Sequence, residues 1–455
     1  MKLERAGGGV RGAHTLFTVQ RCEACAAEYD VRDPHVQCAS CGGLLALRLA
    51  PPPAVGPELQ RLFDARLTRV GAGRALRTPE AFQASGVWRF RELVLPDAAD
   101  AEIVSQPEGN TPLWHRPTVS GWAGVDDLWL KHDGFNPTGS FKDRGMTVAL
   151  TQARRVGARA VACASTGNTS AALAAYAALA GIAGLVLVPA PRDGAAQVAM
   201  GKLAQTLAYG ARTLLVRGDF DACLALVRAH AERLGIYLVN SINPFRVAGQ
   251  RTVAFEIFQQ LGWDAPDWIV LPAGNLGNTS AVGAAVEAAL AAGLITRAPR
   301  IASVQASGAA PFARAFREGF ATRHTVRAET VATAIKIGDP ASWERARAVI
   351  DATDGVVTDV GDDELLEAKA VIDASGVGCE PASAASVAGV RRLVREGTIE
   401  SGERVVAILT GHVLKDPGTL LDYHHTGSDL ALANPPVEID ATAEALERVL
   451  DAVAR

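Results

Sequence analysis

The stretch AVACASTGNTSAALAAYAALAGIAGLVLVP, residues 160–189, decides the fold. It opens with five apolar residues, passes through the small polar loop Ser165-Thr166-Gly167-Asn168-Thr169, and continues as an alanine-rich run. Ala171 to Ala190 is twenty residues without a charge, which is long enough to span a membrane. Gly181 and Gly184 split that run, however, and Pro189 ends it. The better reading is a strand over 160–164, a helix over 168–180 and a buried strand over 185–188. That is a βαβ unit of a soluble protein with no membrane partner.

The same alternation extends in both directions. A helix is predicted over 141–156, and later ones over 198–209 and 220–234 flank a strand at 213–216. A second series opens with a helix over 248–261. It continues with a strand at 268–271, a helix over 279–292 and a strand at 301–304. A late strand, 405–409, runs into Thr410-Gly411-His412. Strands alternating with helices imply right-handed crossovers and parallel sheets covered on both faces. Two series predict an α/β chain of two doubly wound parallel-sheet domains with a cleft between them.

Composition agrees. The 455 residues carry 45 Lys and Arg against 49 Asp and Glu, so no basic excess marks a nucleic-acid partner. Hydrophobic residues at 49% and charged residues at 21% fit a large core and exclude global disorder. Seven cysteines is an odd number, and no apolar secretory segment follows Met1, which predicts a reduced, cytoplasmic protein. Four of them, Cys22, Cys25, Cys38 and Cys41, form two C-x-x-C pairs. Such hairpins can aim four thiolates at one point, with no position left open for catalysis. A structural Zn2+ is therefore expected in a zinc-ribbon-like module over 14–50. Iron, or a redox dithiol, would use the same residues. Chelating the metal should loosen that module and leave the rest intact. Pro51-Pro52-Pro53 ends the module, and 51–104 is a linker and N-terminal segment without an interpretable motif.

Ligands in open α/β sheets bind beyond the C-terminal ends of strands. Three loops at such positions combine glycine with small polar residues: 165–169, Gly274-Asn275-Leu276-Gly277-Asn278-Thr279, and Thr410-Gly411-His412. Glycine admits close backbone approach, and a helix start favours an anion. The dinucleotide fingerprint and the P-loop are both absent. There are only seven lysines, and Lys142 follows the rigid turn Asn136-Pro137-Thr138-Gly139-Ser140-Phe141 into a helix. The positive end of the helix dipole favours its neutral amine, which suits a nucleophile forming a Schiff base with an aldehyde cofactor. An ordinary surface lysine in the charged triplet Lys142-Asp143-Arg144 is the competing reading.

The run FNPTGSFKDRG, 135–145, resembles the cofactor-lysine segment of threonine synthases, within the fold-type-II pyridoxal-phosphate enzymes. EGNTPL (108–113), ASTGNTS (164–170), GKLAQ (201–205), NSINPFR (240–246), ATAIKIGDPASW (332–343), CEPASAA (379–385) and LTGHVLKDP (409–417) resemble that family in the same order. The resemblance implies a tryptophan-synthase-beta-like fold. Its larger cofactor-binding domain would span 105–135 and 247–430, a smaller domain 136–246 would carry the lysine, and 431–455 would form a tail. Lys142 would carry pyridoxal 5′-phosphate and shuttle protons, while Asn168 would meet its phenolic oxygen. Gly274, Asn275, Leu276, Gly277 and Asn278 would cradle the phosphate, and Thr410 would face the pyridine nitrogen. Ser165, Thr166 and Thr169 would hold the substrate carboxylate, and Asn240, Ser241 and Arg246 a phosphate on the substrate. The implied reaction is conversion of O-phospho-L-homoserine and water to L-threonine and phosphate by a homodimeric lyase. Val413 stands where the family has glycine, which puts the shape of the site in question. A cysteate-synthase-like replacement on O-phospho-L-serine with sulfite is the alternative, followed by a dehydratase and by a non-catalytic relic.

Overall fold

The computed structural model describes residues 17–69, 83, 85–165, 167–190, 200–218, 220–425 and 430–453. At the N-terminus, β1 (Val19–Cys22), β2 (Glu28–Asp30) and β3 (Leu45–Arg48) make an antiparallel sheet in the order β2-β1-β3. The chain continues through α1 (Pro57–Arg69), β4 (Leu113–His115), α2 (Pro117–Ala123), β5 (Asp127–His132) and α3 (Lys142–Arg155). Next come β6 (Ala160–Ala164), α4 (Asn168–Ala180), β7 (Ala183–Pro189), α5 (Met200–Ala208), β8 (Arg212–Val216), α6 (Phe220–Leu234) and β9 (Ile236–Leu238). The second series comprises α7 (Pro244–Gln250), α8 (Thr252–Gln260), β10 (Trp268–Pro272), α9 (Gly277–Ala291) and β11 (Arg300–Ala306). It closes with α10 (Pro311–Arg317), α11 (Trp343–Ala352), β12 (Val356–Val360), α12 (Asp362–Ala374), α13 (Pro381–Arg395) and β13 (Arg404–Leu409), before α14 (Pro417–Tyr423) and α15 (Ala443–Val453).

Two parallel sheets result, as the alternation predicts. One has the order β8-β7-β6-β9, and the other β12-β11-β10-β13-β5-β4, with only β4 antiparallel in the second. Strands β6 and β10 are buried at every residue, which explains their unbroken apolar runs. No helix among the described residues is long and apolar enough to cross a membrane.

One expectation is corrected. The helix predicted over 248–261 begins earlier, at Pro244, and divides at Arg251. Asn243 caps it by accepting from the N–H groups of Phe245 at 3.0 Å and Arg246 at 3.2 Å. In the segment after Pro53, Phe63, Trp88 and Phe90 are fully buried, and the Trp88 indole donates to Thr147 Oγ1 at 2.8 Å.

Close approach of α3 and α7 fixes the geometry that matters below. A side chain at Gly249 would overlap the carbonyl oxygen of Arg144, and one at Gly145 would come within 2.7 Å of the carbonyl oxygen of Arg246. Only glycine lets these backbones meet.

Candidate active site

A cavity of about 1030 Å³ lies where the segments following β6, β9, β10 and β13 converge. Its wall brings together Lys142, Ser165, Asn168, Thr169, Asn240, Ser241, Gly274, Asn275, Leu276, Gly277, Asn278 and Thr410. Thr166 lies outside the described residues.

Lys142 opens α3 after a turn that is held from two sides. Gly139 has φ +83°, a conformation favouring glycine, and its carbonyl accepts from His412 N at 2.9 Å. Phe141 N in turn donates to Thr410 O at 2.9 Å. The lysine turn and the end of β13 are thus stitched together. Burial pushes the Lys142 amine down to about 7, Arg246 adds to that, and Glu380 opposes it. The rest of the charged triplet is fully buried. Asp143 accepts from Thr138 N and Oγ1, both at 2.6 Å, and Arg144 pairs with Asp133 and Glu256. A surface reading of Lys142-Asp143-Arg144 is therefore wrong.

The loop after β10 is built for a small anion. Leu276 adopts φ +62°, unusual outside glycine, and hands the chain to α9 at Gly277. A Cβ on Gly277 would find nothing nearer than 3.9 Å, so space remains beside the helix start. Asn275 organises the loop by donating to Ser241 Oγ at 2.6 Å and accepting from Ala341 N at 2.6 Å. Both amide atoms of buried Asn278 and the hydroxyl of buried Ser342 have no partner among the described residues. Orphaned polar atoms at a helix N-terminus fit a phosphate, and a buried amine near neutrality fits an aldehyde. The residues present fit pyridoxal 5′-phosphate.

Arg246 is fully buried and does not line the cavity. It donates from Nη1 to Val239 O at 3.0 Å, while Nε and Nη2 lack partners among the described residues. Val413 does not enter the cavity wall either. It packs on Gly378, where an added Cβ would lie 3.2 Å from the Val413 Cβ.

Sequence reasoning missed Glu380. Its carboxylate accepts from Asn168 Nδ2 at 2.9 Å and from Thr410 Oγ1 at 3.2 Å, and burial raises its pKa. It also missed Lys415, which lines the cavity and donates to Thr138 O at 3.0 Å. The run CEPASAA contained the first, but nothing in it says which residues the carboxylate meets. Cys22, Cys25, Cys38 and Cys41 do converge, their Sγ atoms all lying within 4.8 Å of one another.

Comparison with known proteins agrees with this geometry. Residues 104–411 match the family described as pyridoxal-phosphate dependent enzyme. Threonine synthase of Methanocaldococcus jannaschii is 41% identical over 434 residues, covering 95% of this chain and 99% of that protein. Threonine synthase of a Synechocystis species is 44% identical, covering 80% of this chain and 94% of its own. In structure, Escherichia coli threonine synthase superposes with a TM-score of 0.67 at 18% identity, over 96% of this chain and all of that one.

Proposed function

Because the chain belongs to the threonine synthase family of pyridoxal-phosphate-dependent enzymes, we propose a reaction and an assignment of its residues. The enzyme converts O-phospho-L-homoserine and water to L-threonine and phosphate. The observation that carries the site assignment is the Lys142 amine, brought to about 7 and facing the 274–278 loop, Asn168 and Thr410 across one cavity.

Gly274, Asn275, Leu276, Gly277 and Asn278 would hold the cofactor phosphate, with Ser342 behind them. Asn168 would meet its phenolic oxygen and Thr410 its ring nitrogen. When bound, the cofactor supplies an electron sink beside the substrate's α and β carbons. Lys142 does the proton work. Its neutral amine takes the α hydrogen and then assists removal of a β hydrogen, a role for which a pKa near the working pH is suited. Ser165, Thr166 and Thr169 hold the substrate carboxylate, while Asn240 and Ser241 approach the phosphate that departs from the γ carbon. Arg246 contributes positive charge from behind that wall. Lys142 returns protons to the γ carbon, which becomes the methyl group once phosphate has left, and to the α carbon after water has added at the β carbon. The smaller domain, 136–246, and the larger one, 105–135 with 247–430, then meet at the substrate.

The four thiols would hold Zn2+. A tetrahedron of Zn–S bonds near 2.3 Å has edges of roughly 3.8 Å, and Cys22–Cys41 and Cys25–Cys38 are each 3.6 Å apart. Four thiols converging on one point need a reducing setting, which supports a cytoplasmic location. The enzyme would act there as a homodimer.

The test is turnover of the purified protein with O-phospho-L-homoserine, following threonine and phosphate together, beside a sample given O-phospho-L-serine and sulfite. Equal release of threonine and phosphate, with little activity in the second sample, is expected. Activity confined to phosphoserine and sulfite would retain the cofactor site and overturn the substrate.

A further inference from the structure

Glu380 has no part in the assignment above, yet it sits between two of its members. It caps α13, faces the cavity and is buried. Asn168 Nδ2 donates to its Oε2 at 2.9 Å, and Thr410 Oγ1 donates to its Oε1 at 3.2 Å. Across from it stands Gly411, where even a methyl group would lie inside the carboxyl. The chain therefore makes room for this acid beside the residue assigned to the cofactor's ring nitrogen.

Counting hydrogens shows what the acid does there. A hydroxyl has two lone pairs and one hydrogen. Ser383 Oγ accepts from the backbone N–H of Thr410 at 2.8 Å and of Gly411 at 3.0 Å, which fills both lone pairs. In its 3.0 Å contact with Thr410 Oγ1, Ser383 must then be the donor. Thr410 is left with one hydrogen and one lone pair, to be divided between Glu380 and the ring nitrogen. An ionised Glu380 takes the hydrogen, and the lone pair left over suits only a protonated nitrogen. A neutral Glu380 donates into the lone pair, and the freed hydrogen suits only a bare nitrogen. With no proton in the set, two lone pairs would face each other. With two, an N–H would lack an acceptor. Both arrangements leave a buried polar group unmet, which is costly.

Resting on the cofactor reading above, we infer that Glu380, Thr410 and the cofactor's ring nitrogen share a single proton, with Glu380 setting the charge of the ring through Thr410. In the exchange, the Glu380 O–H bond breaks as Thr410 Oγ1 takes that proton. The former Thr410 O–H bond breaks as an N–H bond forms on the ring. The carboxyl becomes negative and the ring positive, and no electron leaves the set. Burial favours the neutral acid at rest, whereas the hydrogen bond from Asn168 and the Lys415 ammonium favour the carboxylate. Glu380 is thus a positioning residue that can strengthen the electron sink when negative charge builds on the substrate.

The experiment uses holoenzyme carrying cofactor labelled with 15N at the ring. The 15N shift reports the nitrogen, and infrared difference spectra against Glu380→Gln report the acid. A bare nitrogen together with a carboxylic acid band that Glu380→Gln removes is the expected result; a protonated nitrogen with no such band is the other one-proton arrangement and also supports sharing. Nitrogen and Glu380 both protonated, or both deprotonated, would overturn it. Glu380→Gln should keep the nitrogen bare and lower kcat by about a hundredfold, with KM moving less than about threefold. If that variant loses the cofactor, Glu380→Asp takes its place in the difference spectra, where a carboxylic acid band that shifts with the substitution identifies Glu380. A wild-type protein that binds no cofactor would sink the functional reading rather than the shared proton.

Discussion

Lys142 is poised near neutrality because burial and the Arg246 guanidinium outweigh Glu380. Only the unprotonated amine attacks an aldehyde, so the rate at which apoprotein captures the cofactor should rise through pH 7 and level off by about pH 8. Growth of the visible absorption band measures it, and a rise continuing towards pH 10 would mean a solvated lysine. Arg246→Ala removes a nearby positive charge, which raises the amine's pKa and should displace that profile to higher pH. An unmoved profile would show that burial alone sets it. Lys142, Asn168 and Thr410 were legible in the sequence because each sits in a run with its own pattern. Glu380 was not, since its meaning comes from Asn168, 212 residues away. Arg246 was legible as a cation but not as one held behind the cavity wall. The concern over Val413 dissolves for a similar reason: its neighbour is Gly378, which no local reading supplies.

At the scale of elements, the packing of α3 on α7 is the contact most exposed to a small change. Gly249→Ala forces a methyl group into the Arg144 carbonyl, and overpacking of this kind costs about 1–3 kcal/mol. Urea unfolding should show that loss, and cofactor retention should fall with it because Lys142 starts α3. An unchanged midpoint would mean the helices can separate freely. Strands β6, β10 and β13 and helices α4 and α6 were legible to within a residue or two, since burial leaves unbroken apolar runs in the strands and glycine or small polar loops bound the helices. Other elements were harder to read. Strand β5 is interrupted by Lys131, an ammonium buried against Glu256 at 2.7 Å, so its pattern does not look apolar. The split at Arg251 was hidden because Gln250-Arg251-Thr252 includes no proline to mark a break in a helix.

Across the whole molecule, the cysteine module is joined to the site rather than appended to it. Arg345 donates from Nε to Glu23 Oε2 at 2.5 Å and from Nη2 to Leu45 O at 2.8 Å. Its helix, α11, starts beside Ser342, whose N–H donates to Asn275 O at 3.3 Å. Gln152 of α3 also donates to Val31 O at 2.7 Å. The sequence reading expects chelation to destabilise residues 14–50 and leave the cofactor bound, and these contacts argue otherwise. Removing the Zn2+ proposed for that module should weaken cofactor binding about five- to tenfold, and Arg345→Ala should reduce the sensitivity of the cofactor Kd to chelator. Equal Kd values with and without metal in the wild type would restore the independent module. The pairing of Gly139 and Phe141 with Thr410 and His412 reaches across more than half the chain, and β13 fills the middle of its sheet. A ribosome making this protein must therefore release residue 412 before Lys142 is moored. Until then the long sheet lacks its central strand and offers sticky edges on β5 and β10, so this nascent chain should lean heavily on chaperones.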